Sequence, residues 1–435
     1  MKDFQAGVGL SRSWDPKKAG EEVAVTTLEK LDKNPKVFIL YSTIHFDKEK
    51  NGMQKFVDAA YDQLPKGTPL IGGTVAGFIN PYGCYTRGAT GLAISYPNMD
   101  VTVGVGHNTK RNPEKAAIEC AEMIKKGLKD SKYKNKFLFE MTSGYRIPTF
   151  PIIGRRKIIK LPYKILEELV VLAMNFSTTY LQIGMGKEVI LFNRLAKELD
   201  DFIIIGGSCM DDEQLMENYQ FFSKNVLKNE IIALGIKSDI EFDLNTGFGL
   251  KPAGIRFDIT KKQVFDSFIR TIDNKPAKEV FMERMKWYED YLDDRTIHRK
   301  TFQYPVGYQK NNHLCVRTPG IFFGGILGIS NTVESDYFEV YTNSGRSLVN
   351  ASSDALSKFE KIRERVCLGI GVDCGVRLEA LGNHIYAVQK ELLRFFGDTP
   401  FLVPFVAGEH THISNEVTAY NNMSFNMSVF YSKSD

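Results

Sequence analysis

The chain has 435 residues, of which 43% are hydrophobic and 25% are charged, as in a globular protein that buries a full core. The formal net charge is only +4, and the sequence lacks the dense Lys/Arg runs that a nucleic-acid or anionic-membrane partner needs. The best basic run, residues 155–157 (RRK), is predicted to be a solvated loop. At this length two or three domains are expected.

The six cysteines show neither a Cys-x-x-Cys pair nor the spacing of a zinc site, and reduced thiols fit a cytosolic protein. The chain opens without an apolar signal core or an Arg-rich leader. Its longest apolar stretch, residues 321–329, is too short and too rich in glycine to cross a bilayer. We therefore expect a cytoplasmic protein with no membrane insertion and no nucleic-acid partner.

The predicted elements of the first half form one unit that occurs twice. In the first copy, a strand with Gly-Val-Gly leads to a helix that Asp15 caps and Pro16 opens. In the second copy, Gly-Val-Gly and an Asx-Pro cap recur at residues 104–113. Each helix is followed by an apolar run typical of a buried strand.

A domain boundary is predicted near residue 250. Residues 1–250 form the amino-terminal domain, in which residues 1–100 and 101–250 are the duplicated units. The second unit is enlarged by an insertion at residues 147–187 that contains an amphipathic helix. Residues 251–435 form the carboxy-terminal domain.

The carboxy-terminal domain has strand-like segments separated by helices. The segments lie at residues 255–260, 313–317, 325–329, 337–341, 366–370, 401–405 and 424–431. The charged stretch 288–300 is predicted to be a helix end and a surface loop. The resulting fold class is mixed α/β, with an internally duplicated amino-terminal domain, a smaller mixed-sheet carboxy-terminal domain, and helices packed on sheets.

One strand-end pattern recurs along the chain. Apolar runs that end in small residues occur at residues 68–77 (TPLIGGTVAG), 205–208 (IGGS) and 399–408 (TPFLVPFVAG). Such an end permits close backbone approach, and strand ends of this kind are where ligands sit in α/β folds. Gly72, Gly73 and Thr74 are therefore candidate ligand-binding residues.

These motifs, taken together, resemble the paired domains of the FIST family, the F-box and intracellular signal transduction proteins. The resemblance rests on residues 7–9, 70–77, 205–211, 273–277, 315–317, 374–377 and 408–409. It implies an intracellular sensory module that binds a small ligand, such as an amino acid or a related metabolite. Family members usually carry an output domain, and since we identify none here, a separate signalling protein is the expected partner.

The candidate ligand site lies in the carboxy-terminal half. Cys374 and Arg377 follow one predicted strand, and Glu409 follows its companion. If the strands are neighbours, Arg377 and Glu409 would hold the carboxylate and the ammonium group of an amino acid. Arg317 is a further candidate for an anion contact.

Two alternatives stay open. Cys374 with His410 or His412 would suit a cysteine-dependent hydrolase or transferase, because a thiol needs a base to become reactive. The two histidines alone do not make a metal site, so no metal and no cofactor are expected. A non-catalytic scaffold would instead show a large exposed apolar patch and no enclosed pocket. Whether the chain is an enzyme is left open, with a non-enzymatic sensor preferred.

Overall fold

Three six-stranded sheets and one nine-stranded sheet organise the protein. The computed structural model describes residues 3–433 except 149–155, 162, 185, 186, 264, 265, 289 and 291. Helices cover the outer faces of the sheets, so the predicted mixed α/β class is confirmed. Among the described residues, no helix combines the length and the apolar character that crossing a membrane requires.

Residues 5–95 form a first repeat. Its elements are β1 (Gln5–Ser11), α1 (Pro16–Leu28), β2 (Val37–Ser42), a 3-10 turn (Ile44–Lys48), α2 (Gly52–Asp62), β3 (Leu70–Thr74), β4 (Gly77–Asn80), β5 (Gly83–Tyr85) and β6 (Ala89–Ser95). The cap predicted for α1 is present, since the Asp15 carboxylate accepts a hydrogen bond from the Lys18 backbone N–H at 2.7 Å.

Residues 99–238 form a second repeat. Its elements are β7 (Met99–His107), α3 (Pro113–Gly127), β8 (Asn135–Thr142), β9 (Ile158–Ile159), α4 (Lys164–Phe176), a π-helical turn (Ser177–Leu181), α5 (Glu188–Glu198), β10 (Ile203–Ser208), β11 (Gln220–Phe222), β12 (Asn225–Leu227) and β13 (Glu230–Ser238). The elements β9 and α4 belong to the predicted insertion.

Residues 241–431 form a third repeat with a long insertion. The insertion contains β15 (Lys251–Gln263), β16 (Phe268–Ile272), β17 (Lys275–Pro276), α6 (Ala277–Met285), α7 (Asp294–Gln303), β18 (Val306–Lys310), β19 (His313–Arg317), β20 (Pro319–Phe323), β21 (Ile326–Ile329) and β22 (Tyr337–Thr342). The repeat itself contains β14 (Glu241–Gly247), α8 (Gly345–Ser357), β23 (Val366–Cys374), α9 (Gly375–Leu381), α10 (Ile385–Phe396), β24 (Phe401–Val406), β25 (Glu409–Ile413), β26 (Val417–Asn421) and β27 (Phe425–Tyr431), with 3-10 turns at Glu360–Arg365 and Gly382–His384.

The three repeats share one strand order. The sheets run β1-β6-β2-β3, β7-β13-β8-β10 and β14-β27-β23-β24, so each places its first strand beside its last. The predicted duplication is therefore part of a triplication. The third copy was not apparent from the sequence because a long insertion separates its first strand, β14, from its first helix, α8, whereas these two elements are close together in the other repeats. Since β14 pairs along its length with β27, the boundary predicted near residue 250 falls inside this repeat.

Each repeat also contributes a β-hairpin to the sheet of another repeat. The hairpin β11–β12 completes the first sheet, β25–β26 completes the second, and β4–β5 completes the third. The inner faces of the three sheets share one core, in which Tyr41 and Phe139 meet edge to face. The crossing hairpins bind the repeats into one unit.

The two insertions pack against each other. The nine-stranded sheet comes from the third repeat, and β9 of the second repeat adds to it in parallel beside β20. Helix α4 packs on this sheet through Val171 and Met174, which join a cluster with Phe268 and Ile321. The insertions thus form a layer over one end of the repeats.

Candidate functional site

The ends of β3, β10 and β24 lie close together, at the place where the hairpins β4–β5, β11–β12 and β25–β26 pass from one sheet to the next. We call this place the crossing point. Each small-residue motif ends β3, β10 or β24 and leads to the next hairpin. Backbone hydrogen bonds of 3.0 Å join them, from Met210 N–H to Thr74 O, from Ser208 N–H to Gly408 O, and from Ala76 N–H to Phe405 O. Distant glycine-bearing segments therefore come together, and they do so by direct backbone contact.

This crossing accounts for the glycines. A Cβ atom on Gly73 would lie 2.5 Å from the Cys209 sulfur, and one on Gly72 would lie 1.7 Å from the Leu40 carbonyl oxygen. The Thr74 hydroxyl accepts a hydrogen bond from the Tyr219 N–H at 3.0 Å. Gly72, Gly73 and Thr74 are thus engaged in close packing, and their predicted ligand-binding role stays a prediction.

Arg377 pairs with a residue of its own segment. Its Nε lies 2.6 Å from Asp373 Oδ1, and its Nη2 donates to Leu348 O at 3.2 Å and to Ser352 Oγ at 3.1 Å. Both charged side chains are fully buried. Burial raises the pKa of Asp373, and the nearby guanidinium opposes that rise. The contacts that the structure gives Arg377 are therefore internal to the fold, and its predicted ligand-binding role stays a prediction.

Glu409 is held by different groups. Its Oε2 accepts from the Ser424 N–H at 3.0 Å and from the Ser424 hydroxyl at 2.8 Å. Burial raises the pKa of Glu409 to about 8, although these hydrogen bonds oppose the rise. The Cys374 thiol lies close to Glu409, and burial together with this carboxylate raises the pKa of Cys374 well above its usual range. A reactive thiolate is disfavoured at such a position.

The two histidines lie on the face of β25 opposite to Glu409, because successive strand residues point to opposite sides. The His410 Nδ1 atom lies 2.5 Å from Glu140 Oε1. His412 contacts Thr418 Oγ1 at 2.7 Å and Asp200 O at 3.0 Å. Since Cys374 approaches Glu409, the strand separates the thiol from both imidazoles, and the hypothetical Cys–His arrangement is not assembled.

Arg317 is also enclosed by protein groups. Its guanidinium donates to Thr332 O, Tyr420 O and Val316 O, and to the Tyr308 hydroxyl, at 2.7–3.0 Å. The side chain is 1% exposed. These bonds join β19 to β26 and to the segment after β21, so the contacts that the structure gives Arg317 are internal to the fold.

A cavity of about 120 Å³ lies directly above this centre, under the layer formed by the two insertions. Val376 and Ala407 contribute to its floor, and they are close sequence neighbours of Arg377 and Glu409. The wall, as the described residues form it, does not include Arg377 or Glu409 themselves. The predicted residues thus support the floor of a cavity from below.

Charged groups from separate elements meet at this cavity. Lys157 precedes β9, Glu213 lies between β10 and β11, and His298 is on α7. Glu379, on α9, lies next to them, with its Oε2 atom 3.2 Å from His298 Nε2. Burial and the Glu379 carboxylate raise the pKa of Glu213 to about 9, and burial lowers the pKa of Lys157 to about 8. Shifts of this kind in a cleft mark a candidate functional site.

The backbone of Glu213 supports the same assignment. Its φ of +68° lies in the left-handed region, which residues other than glycine, asparagine and aspartate rarely adopt. Backbone strain of this kind concentrates at functional sites. The loop therefore holds the Glu213 carboxyl group against Glu379 despite a conformational cost, and the raised pKa of Glu213 keeps it protonated there.

Three of these residues could hold a metal ion. One donor atom each from Glu213, His298 and Glu379 lies within 4.8 Å of the others. One imidazole and two carboxylates are donors that zinc and manganese accept. Lys157 is a competing cation at the same place, since the carboxylates of Glu213 and Glu379 act on its pKa. The sequence-based expectation of no metal stays a prediction.

Sequence reasoning missed all four residues of this cluster. Lys157 belongs to a basic run that was predicted to be a solvated loop. His298 belongs to the stretch 288–300, which was predicted to be a helix end and a surface loop, and the loop is wrong because α7 forms from Asp294 onward. The sequence signal for α7 was its N-cap, Asp293, whose side chain accepts a hydrogen bond from the Thr296 N–H at 2.6 Å. The four residues of the cluster come from four distant parts of the chain, so no sequence motif with a fixed spacing could have indicated that they lie together.

Comparisons with known proteins complete the description. No curated protein matches the chain at a significant level. Among solved structures, cyanuric acid hydrolase from A. caulinodans is similar with 7% identity and a TM-score of 0.26, covering 54% of this chain and 71% of that chain. PurLQS from Thermotoga maritima is similar with 11% identity and a TM-score of 0.20, covering 99% and 72%. Scores this low carry no argument.

A family model provides the stronger result. The model of the FIST N domain matches residues 36–275, which is more than half of the chain. This range includes the strand ends of the first two repeats, on which the resemblance was based. The domain is associated with sensory signal transduction. The protein therefore belongs to the FIST family.

Proposed function

We propose that the protein is a sensor that binds a small ligand, an amino acid or a related metabolite, in the cavity between the insertions and the meeting strand ends. The observation that carries this proposal is the charged cluster of Lys157, Glu213 and His298 in a largely apolar cavity wall. A concave apolar site with a few convergent polar groups is what small-molecule sites have in common.

The size of the cavity supports a ligand of this class. Its volume of about 120 Å³ compares with roughly 150 Å³ for an engineered cavity that binds benzene in another protein. The apolar part of the wall includes Ile147, Met174, Phe268, Phe302 and Ile321. An apolar side chain or a short metabolite would fill this part, with its charged end at the cluster.

The cluster offers both signs of charge. Lys157 would attract a carboxylate, whereas the Glu379 carboxylate, beside the protonated Glu213, would attract an ammonium group. The zwitterionic end of an amino acid carries both groups. In this proposal, Arg377 and Glu409 keep the floor in place through their buried partners and do not hold the ligand directly.

The proposal extends to where and how the protein acts. We infer that it works in the cytoplasm and that its signal passes to a separate polypeptide. The two alternative functions have less support. The Cys374 thiol has a raised pKa and no imidazole beside it among the described residues, which weighs against cysteine catalysis. An organised cavity weighs against a scaffold without a ligand.

Thermal denaturation with a panel of amino acids and small carboxylates tests the proposal. A ligand that binds only the folded state raises the unfolding free energy by about 2.7 kcal/mol at a hundredfold excess over Kd. We expect at least one compound to raise the Tm, and expect Lys157→Met and Glu213→Gln to remove most of that response. Lys17→Met, a change at an exposed helix position, is the matched control.

Two results would overturn the ligand site. In one, no compound of the panel shifts the Tm of the wild-type protein. In the other, a shift survives in both Lys157→Met and Glu213→Gln as fully as in the control. The second result would place the ligand elsewhere in the molecule.

A further inference from the structure

Helix α4 and the turn that follows it carry an exposed apolar stripe. The stripe consists of Ile165, Leu169, Leu172, Phe176 and Tyr180, and each of these residues is 54–69% exposed. Phe176 and Tyr180 stack with ring centroids 5.0 Å apart, so the stripe continues onto the π-helical turn. Contiguous apolar surface of this kind on a soluble protein marks an interaction site.

The spacing of the stripe is that of a helix seam. Within α4, its members follow each other at intervals of four, three and four residues. Intervals of four and three are the signature of the a and d positions at which two helices pack side by side. The stripe is therefore built to receive another helix with the same pattern.

The acidic residues of α4 turn toward the body of the protein. Glu167 Oε1 accepts a hydrogen bond from the Gly325 N–H at 2.8 Å, and Glu168 Oε2 lies 2.5 Å from Arg270 Nη2. Glu168 stays 57% exposed beside the stripe, and the five members of the stripe are themselves uncharged. The cores of protein interfaces are likewise depleted of charged residues and enriched in aromatic ones.

We propose that the stripe binds the stripe of a second copy of this chain, with the two α4 helices antiparallel across a twofold axis. The second copy carries the same uncharged seam, and twofold dimers are the commonest symmetric assemblies. At about 200 Å² per large side chain, of which 54–69% is exposed, the five members offer roughly 600 Å² per partner, which is the lower end of a standard interface.

The same helix forms part of the cavity wall. Met174 on α4 and Thr178 on the π-helical turn that follows it are buried and line the cavity. A ligand that shifts α4 would change the dimer, and by linkage the dimer would change ligand affinity equally. This coupling rests on the proposed function. The dimer itself does not, because it follows from the stripe alone.

Sedimentation velocity of the full chain tests the dimer. We expect a species of twice the single-chain mass of 49.2 kDa, with dissociation on dilution between about 100 and about 0.1 µM. Leu172→Glu places a charge in the seam, and we expect it to weaken the dimer at least tenfold. Tyr386→Glu, at an equally exposed position on α10, is the matched control and should not change the mass.

Cross-linking tests the geometry. Leu172 lies at the middle of the stripe, so in an antiparallel pair it faces its own copy near the axis. We expect Leu172→Cys to form a disulfide-linked dimer under mild oxidation, and Tyr386→Cys to stay a single chain. Because both positions are exposed, both variants should keep the wild-type Tm.

Three outcomes would overturn the proposal. One is a wild-type mass of 49.2 kDa across the concentration range. Another is a dimer that Leu172→Glu leaves intact, which would place the interface elsewhere. The third is a monomer that floats with neutral phosphatidylcholine vesicles through the stripe, which would make the partner a lipid surface. A dimer without ligand binding would leave this proposal standing and would count only against the proposed function.

Discussion

The crossing point of the strands and the wall of the cavity contain the same kinds of side chain in opposite situations. At the crossing point, Arg377 has Asp373 within 2.6 Å, and Glu409 has Ser424 within 3.0 Å. In the cavity wall, Glu213 meets another carboxylate, Glu379. At the crossing point, each of these two side chains is satisfied by a buried protein group, Arg377 by an ion pair and Glu409 by hydrogen bonds. At the cavity, by contrast, one carboxyl group lies against another, and the pKa of Glu213 is raised to about 9.

The largest expected effect lies at the crossing point. Arg377→Ala would leave the buried Asp373 carboxylate without its cation, and loss of one partner of a buried pair costs about 3–5 kcal/mol. We expect an unfolding free energy, measured by urea denaturation, that is lower by about this amount. The double variant Arg377→Met with Asp373→Asn removes both charges and should recover part of the loss. A change below about 1 kcal/mol for Arg377→Ala would mean that the pair does not support the fold.

Replacing a glycine at the crossing point should give the next largest loss of stability. Gly207→Ala would place a Cβ atom 2.6 Å from the Gly408 carbonyl oxygen, and overpacking against backbone costs about 1–3 kcal/mol. Gly320→Ala is the control, because its Cβ would meet nothing closer than 4.0 Å. Urea denaturation of both variants checks the prediction. Equal stabilities would show that the strand ends are not closely packed.

The crossing point was predictable from sequence and the cavity wall was not. A strand end with small residues is a local pattern, so residues 68–77 and 399–408 indicated the same structure independently. The cavity wall depends on how two insertions fold over the repeats, and no local pattern records that. The same physical reason hid the third repeat, whose strands β14 and β23 are neighbours of β27 but stand far apart in the chain.

The pH dependence of stability separates the two regions further. Because the pKa of Glu213 is raised to about 9 in the folded protein, the folded state keeps a proton that the unfolded state loses. Between the ordinary pKa of a glutamate and about 9, stability should therefore fall as the pH rises. We expect Glu213→Gln to reduce the total loss of unfolding free energy over this pH range by at least about 1.4 kcal/mol, the equivalent of one pKa unit.

Denaturation of the wild type and Glu213→Gln at several pH values checks this expectation. Glu409, with a pKa of about 8, contributes a slope of the same sign, so the difference between the two proteins is the quantity to compare. Parallel curves would show that the pKa of Glu213 is not raised in the folded protein by burial and Glu379.

The smallest effect on stability should come from Lys157. Burial lowers the pKa of this ammonium group to about 8, so the folded state gains little from its charge. We expect Lys157→Met to change the unfolding free energy by less than about 0.5 kcal/mol, while the response to a carboxylate ligand is lost. A loss of stability close to that of Arg377→Ala would show instead that Lys157 is neutralised by the fold, like the charges at the crossing point, and the distinction between the two regions would fail.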